Sequence, residues 1–203
     1  MPPDAVVYIV DDDDAVRDSL HALLESRAFR VESFASGDAF LALVRLAPVG
    51  CVVSDIRMPG LDGLQLQSAL KARELQLPLM FITGHADVPV AVTAMKAGAV
   101  DFIEKPFEEE TLLAAIDRAI RLSREAQSRD AETAEMRQRV DDLTAREREV
   151  LVCLAQGKQN KVIALELGIS PRTVEIHRAR VLEKMAARSL SDLVRAALAV
   201  GLA

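Results

Sequence analysis

Five short apolar stretches, each followed by a helical pattern, restrict the possible fold more than any other feature of this chain. They are Val6–Val10, Val31–Phe34, Cys51–Val53, Leu79–Thr83 and Phe102–Ile103. Many of their residues are β-branched and none of the stretches alternates polar with apolar, which predicts strands of a parallel sheet covered on both faces. Helical patterns at about 15–27, 37–46, 64–73, 88–97 and 109–121 supply the covering layers. Ser36 is placed to cap the second of these helices, and Gly98 to close the fourth. In such α/β folds ligands collect at the carboxyl ends of the strands, so chemistry is sought there.

The strand ends carry a distinctive set of side chains. Asp11 and Asp12 follow the first strand, Asp55 ends the third, Thr83-Gly84 ends the fourth and Lys105-Pro106 follows the fifth. Carboxylates without thiolate or imidazole suit a hard cation, Mg²⁺ before zinc. Taken alone, Asp11–Asp14 also reads as a solvated acidic run opening a helix. An EF-hand is excluded, because its glycine and terminal glutamate are missing at the required spacing. Hydroxyl, ammonium and carboxylates at successive strand ends make a place for a phosphoryl group, with one carboxylate as nucleophile.

The rest of the chain is of another kind. Residues 123–140 are polar and rich in helix formers, which reads either as an exposed helical linker, open to joining the helix before it, or equally as a partly frayed connector. Beyond it no strand pattern occurs. Thr144 and Glu147 form a capping box, Asn160 is placed to cap a short helix closed by Gly168, and Ser170-Pro171 opens a longer helix through Met185. Ser191 is placed to cap a last apolar helix. Short helix, glycine turn, longer helix is a helix-turn-helix pattern. Charge divides the same way: net −8 over residues 1–122, −2 over 123–143 and +4 over 144–203. An acidic first part joined to a basic last part points to a polyanion as the partner of the latter. Cys51 and Cys153 sit in apolar contexts suited to reduced core residues, and no stretch has the length of a membrane helix. With no basic flank before an apolar stretch at Met1–Asp4, a cytoplasmic protein is expected.

Val10-Asp11-Asp12, Asp55-Ile56-Arg57-Met58-Pro59-Gly60, Thr83-Gly84 and Lys105-Pro106 resemble the defining motifs of the response-regulator receiver domain. Ile82–Pro89 and Met95–Phe107 are similar to its FixJ branch. The resemblance implies that Asp55 is the phosphoacceptor. It also implies that Asp11, Asp12, Asp55 and the backbone carbonyl of Arg57 hold Mg²⁺, or Mn²⁺ or Ca²⁺ in its place. Thr83 and Lys105 would contact the phosphoryl group, Lys105-Pro106 would be cis, and Phe102 would be the aromatic that moves with Thr83. An ordinary strand aromatic is the other reading of Phe102. Asp13 and Asp14 are assigned to the helix cap. Val90, Val92, Ala94 and Lys96 are expected on the surface of the fourth helix that switches.

Leu143–Leu151, Asn160–Ala164 and Ser170–Arg178, continued by Lys184–Leu190, resemble the LuxR-type helix-turn-helix. Val174, Val181 and Met185 are expected in its core. The resemblance places Glu175, Ile176 and Ala179 toward bases, and a carboxylate can accept from cytosine N4. Lys161, Arg172, Thr173, His177 and Arg178 are phosphate-contact candidates, with packing against the turn an equal reading for His177. Arg146, Arg148 and Lys158 read as solvated surface. Leu193, Val194, Ala197 and Leu198 of the last helix are expected to form a dimer contact.

The expected architecture is a flavodoxin-like (βα)5 receiver domain over 1–122, a helical linker over 123–142 and an all-α LuxR-type domain over 143–203. The expected protein is a two-component response regulator, phosphorylated on Asp55 by a sensor histidine kinase, which switches either its dimerisation or its interdomain contacts so that it binds promoter DNA and engages RNA polymerase. FixJ-type relatives suggest nitrogen-fixation or microaerobic target genes. Its own chemistry is limited to phosphotransfer and slow self-dephosphorylation, so an enzyme is not expected. A phosphatase of the aspartyl-phosphate type needs an acid/base carboxylate two residues after the nucleophile, where this chain has Arg57. A protein-interaction adaptor is the other alternative, which salt-dependent, sequence-selective binding of residues 123–203 to duplex DNA would exclude.

Overall fold

A computed structural model of the protein describes residues 5–43, 49–84 and 87–202. The chain forms two compact units, Met1–Gln127 and Ser128–Ala203. The reading of Met1–Asp4, the end of the second helical pattern (44–46) and His85-Ala86 of the quoted motif lie outside the described residues.

The first unit alternates β1 (Ala5–Val10), α1 (Asp14–Ser26), β2 (Arg30–Phe34), α2 (Gly37–Leu43), β3 (Val49–Asp55), α3 (Gly63–Ala72), β4 (Leu79–Thr83), α4 (Val88–Lys96), β5 (Asp101–Glu104) and the start of α5 (Glu109–Asp141). The strands are parallel in the order β2-β1-β3-β4-β5, the flavodoxin-like arrangement. Chain direction across the sheet reverses between β1 and β3, the kind of point where a crevice opens at the strand ends. Successive side chains of a strand take opposite faces. Val7, Ile9, Cys51, Val53, Met80 and Ile82 meet Leu20 and Leu24 of α1 and Leu112 and Ile116 of α5. Val6, Tyr8, Val10, Val52 and Phe81 meet Phe40 of α2, Leu66 and Leu70 of α3 and Ala94 of α4.

Burial on both faces holds for β1, β3 and β4 only. β2 and β5 stand at the two edges, where half-buried and exposed residues alternate with buried ones or replace them. On α4 the expected surface is also corrected. Ala94 is fully buried and Val90 packs half-buried on the core, so the outward apolar residues are Val88, Val92 and Met95. Both cysteines are buried and free, and burial pushes the Cys51 thiol up to about 12, which keeps it protonated.

The second unit holds residues 128–141 of α5, then α6 (Ala145–Ala155), α7 (Asn160–Leu167), α8 (Pro171–Lys184) and α9 (Leu190–Ala199). Val150, Leu151 and Leu154 of α6, Ile163 of α7, Val174 and Val181 of α8, and Met185 just after it form its core. Thr144 and Glu147 make the expected capping box, and Ser170 accepts from the Thr173 N–H at the start of α8. Gly168 closes α7 at φ 64°, a left-handed turn glycine adopts without strain.

Two caps lie elsewhere than expected. The residue before α7 is Gln159, with Asn160 already inside the helix, and α9 is capped by Ser189, whose side chain accepts from Asp192 N–H. Either serine of Ser189-Leu190-Ser191 has the chemistry of a cap. Starting at Ser189 puts Leu193, Ala196 and Ala197 into the core. That burial removes Leu193 and Ala197 from the expected dimer face, leaving Leu198 exposed and Val194 half-buried. Among the described residues no helix is long and apolar enough to cross a membrane.

Candidate functional site

The first unit gathers its charged strand ends at one rim. Asp11 directly follows β1 and is buried, with its Oδ1 accepting from Asp13 N–H at 2.9 Å. Its backbone carbonyl accepts from Arg17 Nη1 at 2.8 Å, and the same guanidinium pairs with Asp14. Asp13 caps α1, accepting from the N–H groups of Ala15 and Val16. Asp55, the last residue of β3, pairs in register with Ile82 of β4, one residue before the buried Thr83. The Arg57 N–H donates to Asp55 Oδ2 at 2.7 Å, and the Arg57 side chain is exposed.

Lys105 joins these carboxylates. Its Nζ lies 3.1 Å from Asp11 Oδ2 and 3.5 Å from Asp55 Oδ1, and its N–H donates to the Thr83 carbonyl at 2.8 Å. The Lys105-Pro106 bond is cis. Burial raises the Asp55 carboxyl above its ordinary range and Asp11 adds to that, while the Arg57 N–H and the Lys105 ammonium act the other way. A half-buried carboxylate whose remaining oxygen faces an ammonium is an accessible nucleophile with counter-charge already in place.

Asp12 is exposed at the rim, and among the described residues no three His, Cys, Asp or Glu side chains gather closely enough to form a ready metal cage. Two carboxylates nonetheless converge on one positive charge, and their donors are all oxygen. That set fits a hard divalent ion that keeps part of its water. Phe102 is half-buried on β5, opposite Phe81 in the β4–β5 register, with ring centroids 6.5 Å apart.

In the second unit, α8 presents Arg172, Glu175, Ile176 and Ala179 to solvent, and Lys161 is exposed on α7. Thr173 is half-buried and its Oγ1 lies 2.8 Å from Ser170 Oγ. Arg178 is half-buried and its Nη1 reaches Asn160 Oδ1 at 3.4 Å, tying α8 to α7. His177 is half-buried, and its enclosed Nδ1 has no hydrogen-bond partner among the described residues, which favours the packing reading for that face of the ring.

Arg148 is exposed, as expected of solvated surface, while Arg146 and Lys158 are half-buried, and all three are ion-paired. Arg146 donates to the Leu167 carbonyl at 2.5 Å and to Glu149 at 2.6 Å; Arg148 reaches Asp141 at 2.9 Å; Lys158 reaches Glu166 at 2.6 Å. Sequence reasoning missed Lys184, which lies 2.7 Å from the buried Glu147 and 3.1 Å from the Asp142 carbonyl. Glu147 was legible as the third residue of a capping box, but nothing local announces a partner 37 positions away.

Comparison with known proteins agrees with both halves. Residues 7–117 match the family described as response regulator receiver domain, and residues 141–197 match bacterial regulatory proteins, luxR family. The chain is 50% identical over 196 residues to the transcriptional regulatory protein FixJ of Bradyrhizobium diazoefficiens, covering 97% of this chain and 96% of that one. It is 44% identical over 191 residues to the response regulator protein TodT of Pseudomonas putida, covering 94% and 84%. Among solved structures, the response regulator StyR superposes with a TM-score of 0.80 at 43% identity, covering 96% of this chain and 98% of that one. Full-length FixJ from B. japonicum superposes with a TM-score of 0.57 at 48% identity, covering 98% of each. The chain belongs to the two-component response regulators that join a receiver domain to a LuxR-type DNA-binding domain, and among them it is a FixJ-like transcriptional regulator.

Proposed function

We propose that Asp55 accepts a phosphoryl group from a phosphohistidine of the sensor kinase and that the aspartyl phosphate turns on promoter binding. The family's partners are a sensor kinase and DNA, and its members are transcriptional regulators rather than classical enzymes. The observation that carries the reading is the Lys105 ammonium shared by Asp11 and Asp55 beside the buried Thr83. An Asp55 oxygen attacks phosphorus in line, the P–N bond breaks, and the imidazole leaves with its electron pair. Lys105 then exchanges a carboxylate for a phosphoryl oxygen, and Thr83 donates to another. A divalent cation, Mg²⁺ with Mn²⁺ or Ca²⁺ as substitutes, would be held by Asp11, Asp12, Asp55 and the Arg57 carbonyl and would supply further positive charge. Water attack on the same phosphorus gives slow self-dephosphorylation.

Drawing Thr83 toward the added charge frees space that Phe102 fills, and α4 repacks with its exposed Val88, Val92 and Met95. A homodimer of receiver domains (1–122) is the state favoured by phosphorylation, delivering two LuxR-type domains (143–203) through the 123–142 linker to paired half-sites and to RNA polymerase. Lys161, Arg172, Thr173, His177 and Arg178 contact phosphate, Arg178 from beside Asn160 of α7, and Glu175, Ile176 and Ala179 face bases. The test is phosphoryl incorporation from labelled acetyl phosphate with Mg²⁺. The native chain should carry a hydroxylamine-labile phosphate and Asp55→Asn none; equal labelling of both would overturn the assignment.

A further inference from the structure

A hydroxyl, an imidazole and a carboxylate line up on one edge of the first unit, apart from the charged rim. His21 and Glu25 stand four residues apart on α1, on the same face of the helix. The chain then turns back through β2, the outermost strand, and brings the Ser33 hydroxyl to the ring. Ser33 Oγ lies 2.7 Å from His21 Nδ1, and His21 Nε2 lies 3.3 Å from Glu25 Oε1. An ionised carboxylate only accepts, so the neutral ring keeps its proton on Nε2 and offers its Nδ1 lone pair to the serine hydroxyl. In that tautomer an imidazole can take a proton from a nucleophile, and the Oγ–Nδ1 separation is within the reach such a transfer needs. Ser33 is exposed, which leaves its oxygen open to a reagent, while the ring is half-buried. The backbone adds a donor. Phe34 turns its carbonyl to the β1 side, where it accepts from Asp11 N–H at 3.2 Å. Successive residues of a strand point their N–H and C=O groups to opposite sides, so the Ser33 N–H points to the open edge of the sheet. A backbone N–H of the nucleophile itself is a donor suited to the oxygen of a tetrahedral intermediate.

From this arrangement we propose that Ser33 is an acylation site, taking small acyl groups from activated esters with His21 as general base. Ser33 Oγ adds to the ester carbonyl carbon while its proton passes to His21 Nδ1, and Glu25 stabilises the imidazolium that forms. The tetrahedral oxygen accepts from the Ser33 N–H. Collapse breaks the bond to the leaving alkoxide or phenolate, which departs with the electron pair. The proton on Nδ1 follows it or passes to water, and Ser33 remains as an acyl ester. The site lies open at the edge of the sheet, so it takes small acyl groups on the strength of their own reactivity. It uses none of Asp11, Asp55, Thr83 or Lys105 and stands independently of phosphotransfer.

The experiment treats the full chain with p-nitrophenyl acetate. The native chain should release nitrophenolate in a stoichiometric burst and carry an acetyl group on Ser33, located by fragmentation mass spectrometry. Ser33→Ala should show no burst. His21→Ala should acetylate Ser33 about a hundredfold more slowly, the scale of a lost general base. Glu25→Ala should lose part of the rate, and Glu25→Gln, whose amide oxygen still accepts from Nε2–H, should regain it. Ser26→Ala is the comparison, since the Ser26 hydroxyl donates to the Leu23 carbonyl, and it should react as the native chain does. Circular dichroism of each variant separates lost reactivity from lost fold. A burst of native size from Ser33→Ala, equal rates of Ser33 acetylation in the native chain and His21→Ala, or a native chain left unacetylated at Ser33 would overturn the proposal.

Discussion

The Lys105 ammonium lies 3.1 Å from the Asp11 carboxylate, joining residues 94 positions apart that follow the fifth and first strands. The same nitrogen stands 3.5 Å from Asp55. Two carboxylates drawn together at the edge of a sheet repel each other, and burial makes the repulsion costlier. Lys105 offsets this in the resting protein and is positioned to meet phosphoryl oxygens when they arrive. Lys105→Met should slow phosphoryl incorporation from acetyl phosphate by about a hundredfold, as loss of one positioned charge does elsewhere, with the fold retained by circular dichroism.

Gly63 opens α3 directly behind Asp55. A Cβ there would come within 2.5 Å of the Asp55 carbonyl and 2.8 Å of the Phe81 ring. Gly63→Ala should therefore move the phosphoacceptor segment as well as strain the core. About 1–3 kcal/mol of stability should be lost in urea unfolding, together with a slower phosphorylation rate. Gly98→Ala is the comparison: its φ of +99° is strained for alanine, but nothing lies within 4 Å of the added carbon. It should cost stability without slowing phosphorylation.

In the second unit, Glu147 is buried with Lys184 at 2.7 Å and the Thr144 N–H at 2.9 Å. The Lys184 ammonium, then the Thr144 hydrogen bonds, hold its carboxyl down to about 2 from an ordinary 4.5. A depressed carboxyl stabilises the folded state fully above its unfolded value and loses that contribution as pH falls from about 4.5 toward 2. Glu147→Gln should lower stability at pH 7 by about 1–3 kcal/mol. It should also flatten the loss of thermal stability across that acid window. A curve of unchanged slope below pH 4.5 would mean that the pair contributes nothing.

Arg172 opens α8 on its exposed side and makes no tie to α7 of the kind Arg178 makes to Asn160. As a phosphate contact it should supply affinity without sequence preference. Arg172→Ala should weaken binding to preferred and unrelated duplexes alike and reduce the slope of log affinity against log salt by about 1. A change confined to one base position would assign it to base reading instead.

How much of this was legible in the sequence follows from how local each signal is. Strand ends are marked by where an apolar stretch stops, so spacing alone puts Asp11, Asp55, Thr83 and Lys105 at one rim, where the structure has them. Edge position is a property of the sheet order, yet Glu32 and Ser33 inside Val31–Phe34 already set β2 apart from the apolar Leu79–Ile82 of β4, a local signal that the expectation of burial on both faces passes over. Ala94 and Leu193 illustrate a second limit. Each lies on a short helix where a small change of register decides whether an apolar residue faces core or solvent, and the choice of cap at Ser189 over Ser191 fixes that register for α9. Side-chain ties across the fold, such as Lys184 to Glu147, Gln67 to the Ala94 carbonyl and Ser123 to the Gly50 N–H, depend on tertiary proximity that no spacing encodes.

The measurement closest to the central claim is the mobility of promoter-like duplex DNA, with gel filtration in parallel, for the native chain and Asp55→Asn with and without acetyl phosphate and Mg²⁺. The account predicts that the phosphoryl donor raises both DNA affinity and dimer fraction for the native chain by tenfold or more, the scale of a decisive population shift, and changes neither for Asp55→Asn. An Asp55→Asn chain that responds to the donor as the native chain does would contradict it.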